Sequence, residues 1–308
     1  MKFSNKLLRI IGCCNCFVLA FMQVALAQNI TIATYQYANN TRIDNISPLA
    51  KHLTTLGITT QVKSYPTVQA LIEAIQHDEV DIALINTFGY MLLTQSTHRN
   101  PTQPCAVLTV PPQVANNYTT AFVTRYNNNI ATIEALTKQA GSLRLALVAA
   151  GSTSGNLMPR LKLAGVGITN PEVQFQHFQY GGNHTTTLQL LLQHKADVVA
   201  IGSTTYFDMI KDAAIDAQLK LLWLSPEIPL GPVLLHQRLP KTLQQQIQQS
   251  LLALHETNPA ALASVKAGWT EAYQATKYIA IDTTYYQKLY QQLGDPALLQ
   301  PILQQFAP

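Results

Sequence analysis

The chain has 308 residues, 20 Lys and Arg against 16 Asp and Glu, eight His and four Cys. That length can build a sizeable core and fill two domains. The slight positive charge gives neither a nucleic-acid footprint nor a polybasic membrane patch, so neither partner is expected.

Residues 1–27 read as an export signal. Lys2, Lys6 and Arg9 precede the largely apolar Ile10–Leu26, and Ala25-Leu26-Ala27 fits a small-x-small cleavage site. Processing there would remove Cys13, Cys14 and Cys16 and leave only Cys105, so no intrachain disulfide could form. It would also remove three basic residues and no acidic one, leaving a nearly neutral surface rich in Gln, Asn and Thr. Ile10-Ile11-Gly12-Cys13 faintly resembles a lipoprotein site, but the apolar stretch before it is too short. No later segment has the ~18 apolar residues of a membrane span. A soluble protein outside the cytoplasm, in the periplasm, is expected.

In chain order, Ile30–Thr34 is a predicted strand ending at Tyr35 and Tyr37. A helix over Ile46–Leu56, a strand over Thr59–Tyr65 and an amphipathic helix over Val68–Gln76 follow. Asp81 then opens a short apolar strand that ends at Asn86, Thr87 and Tyr90. Ala121–Arg125 reads as a strand leaving the first lobe, and Ile133–Gln139 as a helix opening the second. Leu143–Ala150 is an apolar strand running into Gly151-Ser152-Thr153-Ser154-Gly155 and then a helical pattern. A further strand is expected near Val173–Phe178.

Thr186–Gln193 and Asp197–Gly202 repeat the earlier helix–turn–Asp–strand pattern. Tyr206 stands nine residues after Asp197, as Tyr90 does after Asp81. Continuous apolar strands after helices suit a sheet covered on both faces, with ligands at the strands' carboxyl ends. Leu219–Leu224 is the last strand of the second lobe. The proline-rich 225–232 run leads into Val233–His236, a return crossing. Helices over Thr242–His255 and Thr283–Leu293 close the first lobe. The expected organisation is lobe one at 28–122 and 233–308 and lobe two at 123–232, each a mostly parallel sheet flanked by helices, joined by two hinge crossings.

The strand–hydroxyl loop–helix order at 143–160 is the main chemical signal. It aims backbone N–H groups and the hydroxyls of Ser152, Thr153 and Ser154 at one helix N-terminus, which suits an anion. Gly155 permits close backbone approach. Three hydroxyls between two glycines exceed what an ordinary N-cap needs. His184, just before the second repeat's helix, can donate to the same anion or serve as a cap. Tyr35, Tyr37, Asn86, Thr87 and Tyr90 could face it from lobe one, or simply pack and solvate their own loops. The GSTSG run does not match the G-x-S-x-G nucleophile elbow, since Thr153 takes the serine place. No metal-ligand spacing, Walker motif or paired carboxylates stand out, so no metal or cofactor is expected.

With those residues in hand, the chain resembles the phosphate/phosphite/phosphonate-binding proteins of bacterial ABC importers. Ser152–Arg160 (Ser-Thr-Ser-Gly, then Leu-x-Pro-Arg) carries most of the likeness. Tyr118–Val123, Gly182-Asn183-His184, Lys195-Ala196-Asp197, Ser225–Pro229 and Asp282–Tyr285 support it. The resemblance implies a type II periplasmic-binding fold, α/β and two-lobed, closing on a small oxyanion. It implies a monomer that delivers its ligand to an inner-membrane ABC permease. It implies that Ser152, Thr153, Ser154 and His184 hold the phosphono oxygens.

The chain departs from the family pattern in three places. Ile85-Asn86 stands where an aromatic residue and Gly are common. Residues 202–205 and 229–232 lack the carboxylates that relatives offer to an aminoalkyl tail. Weak binding of aminoethylphosphonate is therefore expected, because a buried ammonium without a carboxylate is costly. A sensory receptor on the same fold, or a hydrolase using Ser152 or Ser154 with His184, are the alternative functions.

Overall fold

The computed structural model describes residues 29–96, 98–114 and 118–308. The expected export signal and cleavage site, and three of the cysteines, lie outside the described residues. No described helix is long and apolar enough to cross a membrane.

Eleven strands form two sheets: β1 (Ile30–Tyr35), β2 (Thr60–Tyr65), β3 (Ile82–Leu84), β4 (Thr102–Thr109), β5 (Thr120–Arg125), β6 (Arg144–Leu147), β7 (His177–Tyr180), β8 (Val198–Gly202), β9 (Leu219–Leu224), β10 (Pro232–His236) and β11 (Lys277–Ala280). One sheet has the order β11-β4-β10-β3-β1-β2, the other β7-β6-β8-β5-β9.

Both sheets are mixed. β1 runs parallel to β2 and β3, and β6 runs parallel to β7 and β8. β10 and β5 lie antiparallel to these parallel sets. The reason is topological: β5 and β10 begin directly after the chain crosses from the other lobe, so each enters its sheet from the cleft side. Parallel βαβ units would bring a strand in from the opposite end.

The first crossing lies between β4 and β5, so the expected boundary at 122/123 falls inside β5, whose Ala121 and Phe122 pair with β8 and β9. The second lies between β9 and β10. The helix expected over Ile133–Gln139 shortens to Leu136–Gln139, and the strand expected near Val173–Phe178 begins only at His177, after a helical turn over Pro171–Gln174.

The two repeats fold alike in detail. Thr67 and Asn183 cap the helices Val68–Gln76 and His184–Leu192 with their side chains. Two residues past those helices stand Asp78 and His194, both in the left-handed region, with φ of 60° and 59°. Asp81 then accepts the backbone N–H of Thr31 at 2.9 Å, and Asp197 accepts that of Arg144 at 2.9 Å. Each carboxylate also holds an arginine, Arg238 for Asp81 and Arg144 with Arg125 for Asp197.

A buried apolar cluster fills lobe one, and separate clusters cover the two faces of the second sheet. The lobe-one cluster also takes in Leu157, Met158 and Leu161 from the helix after the hydroxyl loop. The C-terminal helix Pro296–Phe306 seals this seam. Phe306 meets the ring of Phe88 from lobe one at 5.8 Å and the guanidinium of Arg160 from lobe two at 4.9 Å.

Candidate functional site: the interlobe cleft

The carboxyl ends of β1, β3 and β6 converge on one cavity of about 240 Å³ between the lobes. Tyr35, Tyr37, Arg42, Thr67, Gln69 and Asn86 line it from lobe one. Ala149–Thr153 and His184 line it from lobe two, Tyr118 from the first crossing, and Gly268, Thr270 and Glu271 from the C-terminal part of the chain. It continues past Asn39, Asn40 and Asn183 to a wider mouth.

The hydroxyl loop is wound wider than an ordinary α-helical start, with the Leu157 N–H donating to the Ser152 carbonyl five residues back at 3.1 Å. Residues Thr153–Leu157 make a π-helical turn that passes into the α-helix Met158–Gly165. Such turns recur at functional sites. Each hydroxyl has a distinct role. Ser152 Oγ accepts the Gly155 N–H at 3.0 Å, so Ser152 is the N-cap. Thr153 Oγ1 accepts the Phe88 N–H at 3.0 Å, across the lobe boundary. An accepting hydroxyl still has its own hydrogen to donate. Ser154 Oγ is fully buried and has no hydrogen-bond partner among the described residues.

His184 sits against this group. The Gly202 N–H donates to His184 Nδ1 at 2.9 Å. That bond fixes the neutral tautomer, with hydrogen on Nε2 free to donate. Burial pushes the imidazole's pKa down to about 4, so the free protein presents a neutral ring. A Cβ on Gly202 would lie 3.3 Å from Ser154 Oγ and 3.4 Å from His184 Cε1, so both groups crowd the end of β8.

Across the cleft, Asn86 binds both lobes. Its Oδ1 accepts the Gly89 N–H at 2.9 Å as a helix cap, and its Nδ2 donates to the Gly151 carbonyl at 2.8 Å. Gly151 packs so closely on Val68 that a Cβ would come within 2.6 Å of Val68 Cγ1. Tyr37 stacks at a tilt on His184, with centroids 6.1 Å apart, and its phenol oxygen is buried without a partner among the described residues. Tyr118 is buried beside Ser154 and Thr153, and burial raises its pKa well above the usual phenol value.

Of the residues singled out in the sequence, Ser152, Thr153, His184, Tyr35, Tyr37 and Asn86 line the cavity, and Ser154 lies directly behind it. Three others do not line it either. Gly155 faces Val148 instead, where a Cβ would come within 2.2 Å of Val148 Cγ2, so the absent side chain serves packing on the strand. Thr87 donates to the Pro229 carbonyl at 2.6 Å, fastening the return crossing. Tyr90 packs on Tyr286 at 4.8 Å in the core of lobe one.

Arg42, Tyr118 and Glu271 were missed as site residues. Tyr118 stood in the family-like stretch 118–123, but Arg42 and Glu271 lie in loops with no signal of their own. Glu271 also removes the premise that the cleft lacks a carboxylate: residues 202–205 and 229–232 supply none, but the turn Thr270–Ala272 does. Among the described residues, no three His, Cys, Asp or Glu side chains are placed to hold a metal ion.

Two mixed sheets, two crossings and a polar cavity at the strand ends define a two-lobed solute-binding protein. The family model for the periplasmic substrate-binding protein of phosphonate ABC transporters matches residues 32–286, and the chain belongs to that family. No curated protein sequence matches the chain.

Solved structures share the fold at low identity. The binding-protein component of an ABC phosphonate transporter from Pseudomonas aeruginosa is 19% identical over 91% of this chain and 88% of its own, with a TM-score of 0.66. A Xanthomonas citri protein bound to chloride ion is 16% identical over 90% and 99%, with a TM-score of 0.68. PhnD1 from Prochlorococcus marinus, in complex with methylphosphonate, is 17% identical over 87% and 97%, with a TM-score of 0.64. The family is one of periplasmic transport components rather than enzymes, working with an ABC permease.

Proposed function

We propose that this chain captures a small phosphonate-type oxyanion in the interlobe cleft for its importer. In this reading lobe two supplies the grip. The hydroxyls of Ser152, Thr153 and Ser154, the N–H groups of the π-turn and Nε2–H of His184 donate to the phosphono oxygens, while Tyr35, Tyr37 and Asn86 close over it from lobe one. The family match and the methylphosphonate carried by one relative of the same fold support the ligand class.

The observation that carries the reading is Ser154 Oγ, buried and unpaired beside a histidine whose tautomer is already set. A buried hydroxyl without a partner costs about 1–3 kcal/mol, which an oxyanion acceptor would recover. Hydroxyls and neutral imidazole bind an anion without a full positive charge, which favours reversible capture over permanent ion pairing.

Calorimetry with methylphosphonate, phosphate, phosphite and sulfate tests this directly. At least one oxyanion should bind, and Ser154→Ala should weaken it by about 1–3 kcal/mol. In a thermal-shift format, ligand at about 100 times its Kd should add about 2.7 kcal/mol of stability. Unchanged affinity in both Ser154→Ala and His184→Ala would refute the assignment. The Thr87→Ala variant, altered outside the cavity, should bind like the wild type.

A further inference from the structure

The lobe-one wall of the cleft carries polar groups that an oxyanion does not account for. Arg42 is 3% exposed and stands in the left-handed region, with φ of 60°, at the start of the helix Ile43–Thr55. A non-glycine residue is strained there and persists only where its surroundings enforce it. Its guanidinium carbon lies 4.5 Å from the centroid of Trp269, 4.6 Å from Tyr35 and 5.2 Å from Tyr37. Nε donates to the Gly268 carbonyl at 2.7 Å, and Nη1 has no hydrogen-bond partner among the described residues. A strained, caged and incompletely paired arginine is an expensive packing element.

Glu271 lines the same cavity. Burial raises the pKa of its carboxyl, and the neighbouring Arg42 opposes that rise. Arg42 and Glu271 are the only Asp, Glu, Lys or Arg side chains lining the cavity among the described residues. The space is also large for a bare phosphono group. A single water needs only about 10–15 Å³, and this cavity has about 240 Å³.

We propose that Arg42 and Glu271 form a tail subsite that reads an amino-acid-like group on the phosphonate, Arg42 taking the carboxylate and Glu271 the ammonium. The inference rests on the oxyanion reading above and names its substrate class. A zwitterionic tail adds no net charge to a cavity whose two wall charges already cancel. A lone ammonium leaves Arg42 Nη1 without an acceptor. A lone carboxylate sets a second anion beside Glu271. The rings of Tyr35 and Tyr37 cover the carbons between the charged groups.

Calorimetry on the purified protein with methylphosphonate, 2-aminoethylphosphonate, 3-phosphonopropionate and 2-amino-3-phosphonopropionate tests the assignment. The zwitterionic ligand should bind about tenfold or more tighter than methylphosphonate, and tighter than either singly charged tail, as expected for added charge-assisted hydrogen bonds. Glu271→Gln should shrink the affinity ratio between amine-bearing and amine-free ligands. Arg42→Gln should shrink the ratio between carboxylate-bearing and carboxylate-free ones. Equal affinity for methylphosphonate and the zwitterion in the wild-type protein would overturn the subsite, and that comparison needs no variant to fold. A Glu271→Gln variant that shifts all four ligands alike would also overturn it. If none of the four binds, the oxyanion reading falls as well; if methylphosphonate binds and tails make no difference, only the subsite falls.

Discussion

The two lobes are built on one repeated unit, yet they contribute opposite kinds of surface to the cleft. Away from the cleft they agree closely. Asp81 and Asp197 tie a backbone N–H at the start of a neighbouring strand and hold an arginine, and Asp78 and His194 turn the chain with the same left-handed backbone. At the carboxyl ends of the strands they part. β1 runs into Tyr35, Gln36, Tyr37 and Arg42, an aromatic wall around one cation. β6 runs into Ser152, Thr153 and Ser154, a set of short donors without charge. The scaffold of such a unit is fixed by backbone geometry and buried ion pairs, whereas its strand ends are free to specialise. One lobe can therefore hold the invariant head of a ligand while the other selects its tail.

The comparison breaks first at the paired aspartates. Replacing Asp197 by Ala leaves the buried Arg125 without its carboxylate, and Asp81→Ala leaves the Thr31 N–H and Arg238 without theirs. Asp197→Ala should destabilise the protein by about 3–5 kcal/mol in urea unfolding, and Asp81→Ala by less, because water can take over the charge of the more exposed Arg238. The Arg144 hydrogen bonds hold the Asp197 carboxyl down to about 2. Its contribution is complete above the unfolded pKa of about 3.9 and is lost as the pH falls through about 2.

A smaller loss is expected at Gly155. Alanine there would overlap Val148 on β6, and overpacking of this kind costs about 1–3 kcal/mol. Because Gly155 is outside the cavity, any fall in oxyanion affinity should accompany displacement of the π-turn, visible as a fall in melting temperature.

The last effect, at His184, is absent near neutral pH and grows only on acidification. Burial sets its native pKa at about 4, below the unfolded value of about 6.5. Between those values the unfolded chain binds the extra proton, so stability declines as the pH falls from about 6.5 toward 4 and levels off below. The His184→Gln variant should lack that component. A bound anion favours the protonated ring, so ligand binding near pH 5 should take up protons. Calorimetry in buffers of differing ionisation enthalpy measures this, and zero uptake would place the ring away from the anion.

Much of this site was legible because it is local. The strand–hydroxyl–helix order at 143–160 needs no distant partner to be recognised, and the helix–Asp–strand repeat declares itself by spacing. The π-turn is a finer matter, since its sequence is equally compatible with an α-helical start. Thr87 and Tyr90 looked like strand-end ligands by position, but their fate is set by Pro229 and Tyr286, far along the chain. Arg42 and Glu271 were illegible for the same reason. They stand 229 positions apart in the numbering and meet only because β11 and the turn before it fold back onto lobe one. The antiparallel sense of β5 and β10 likewise follows from the chain's path between lobes, which local hydrophobic pattern does not encode.

The helix Pro296–Phe306 adds a constraint on motion. Its terminal aromatic ring is shared between Phe88 of one half and Arg160 of the other, on a surface continuous with buried apolar side chains. Arg160 is also held by Glu172 and by Tyr180 at 3.2 Å, so the second half of that contact is rigid. Any swing that separates the halves must either strip Phe306 from one neighbour or carry the helix along with one of them. The seam thus behaves as a clasp between the two halves.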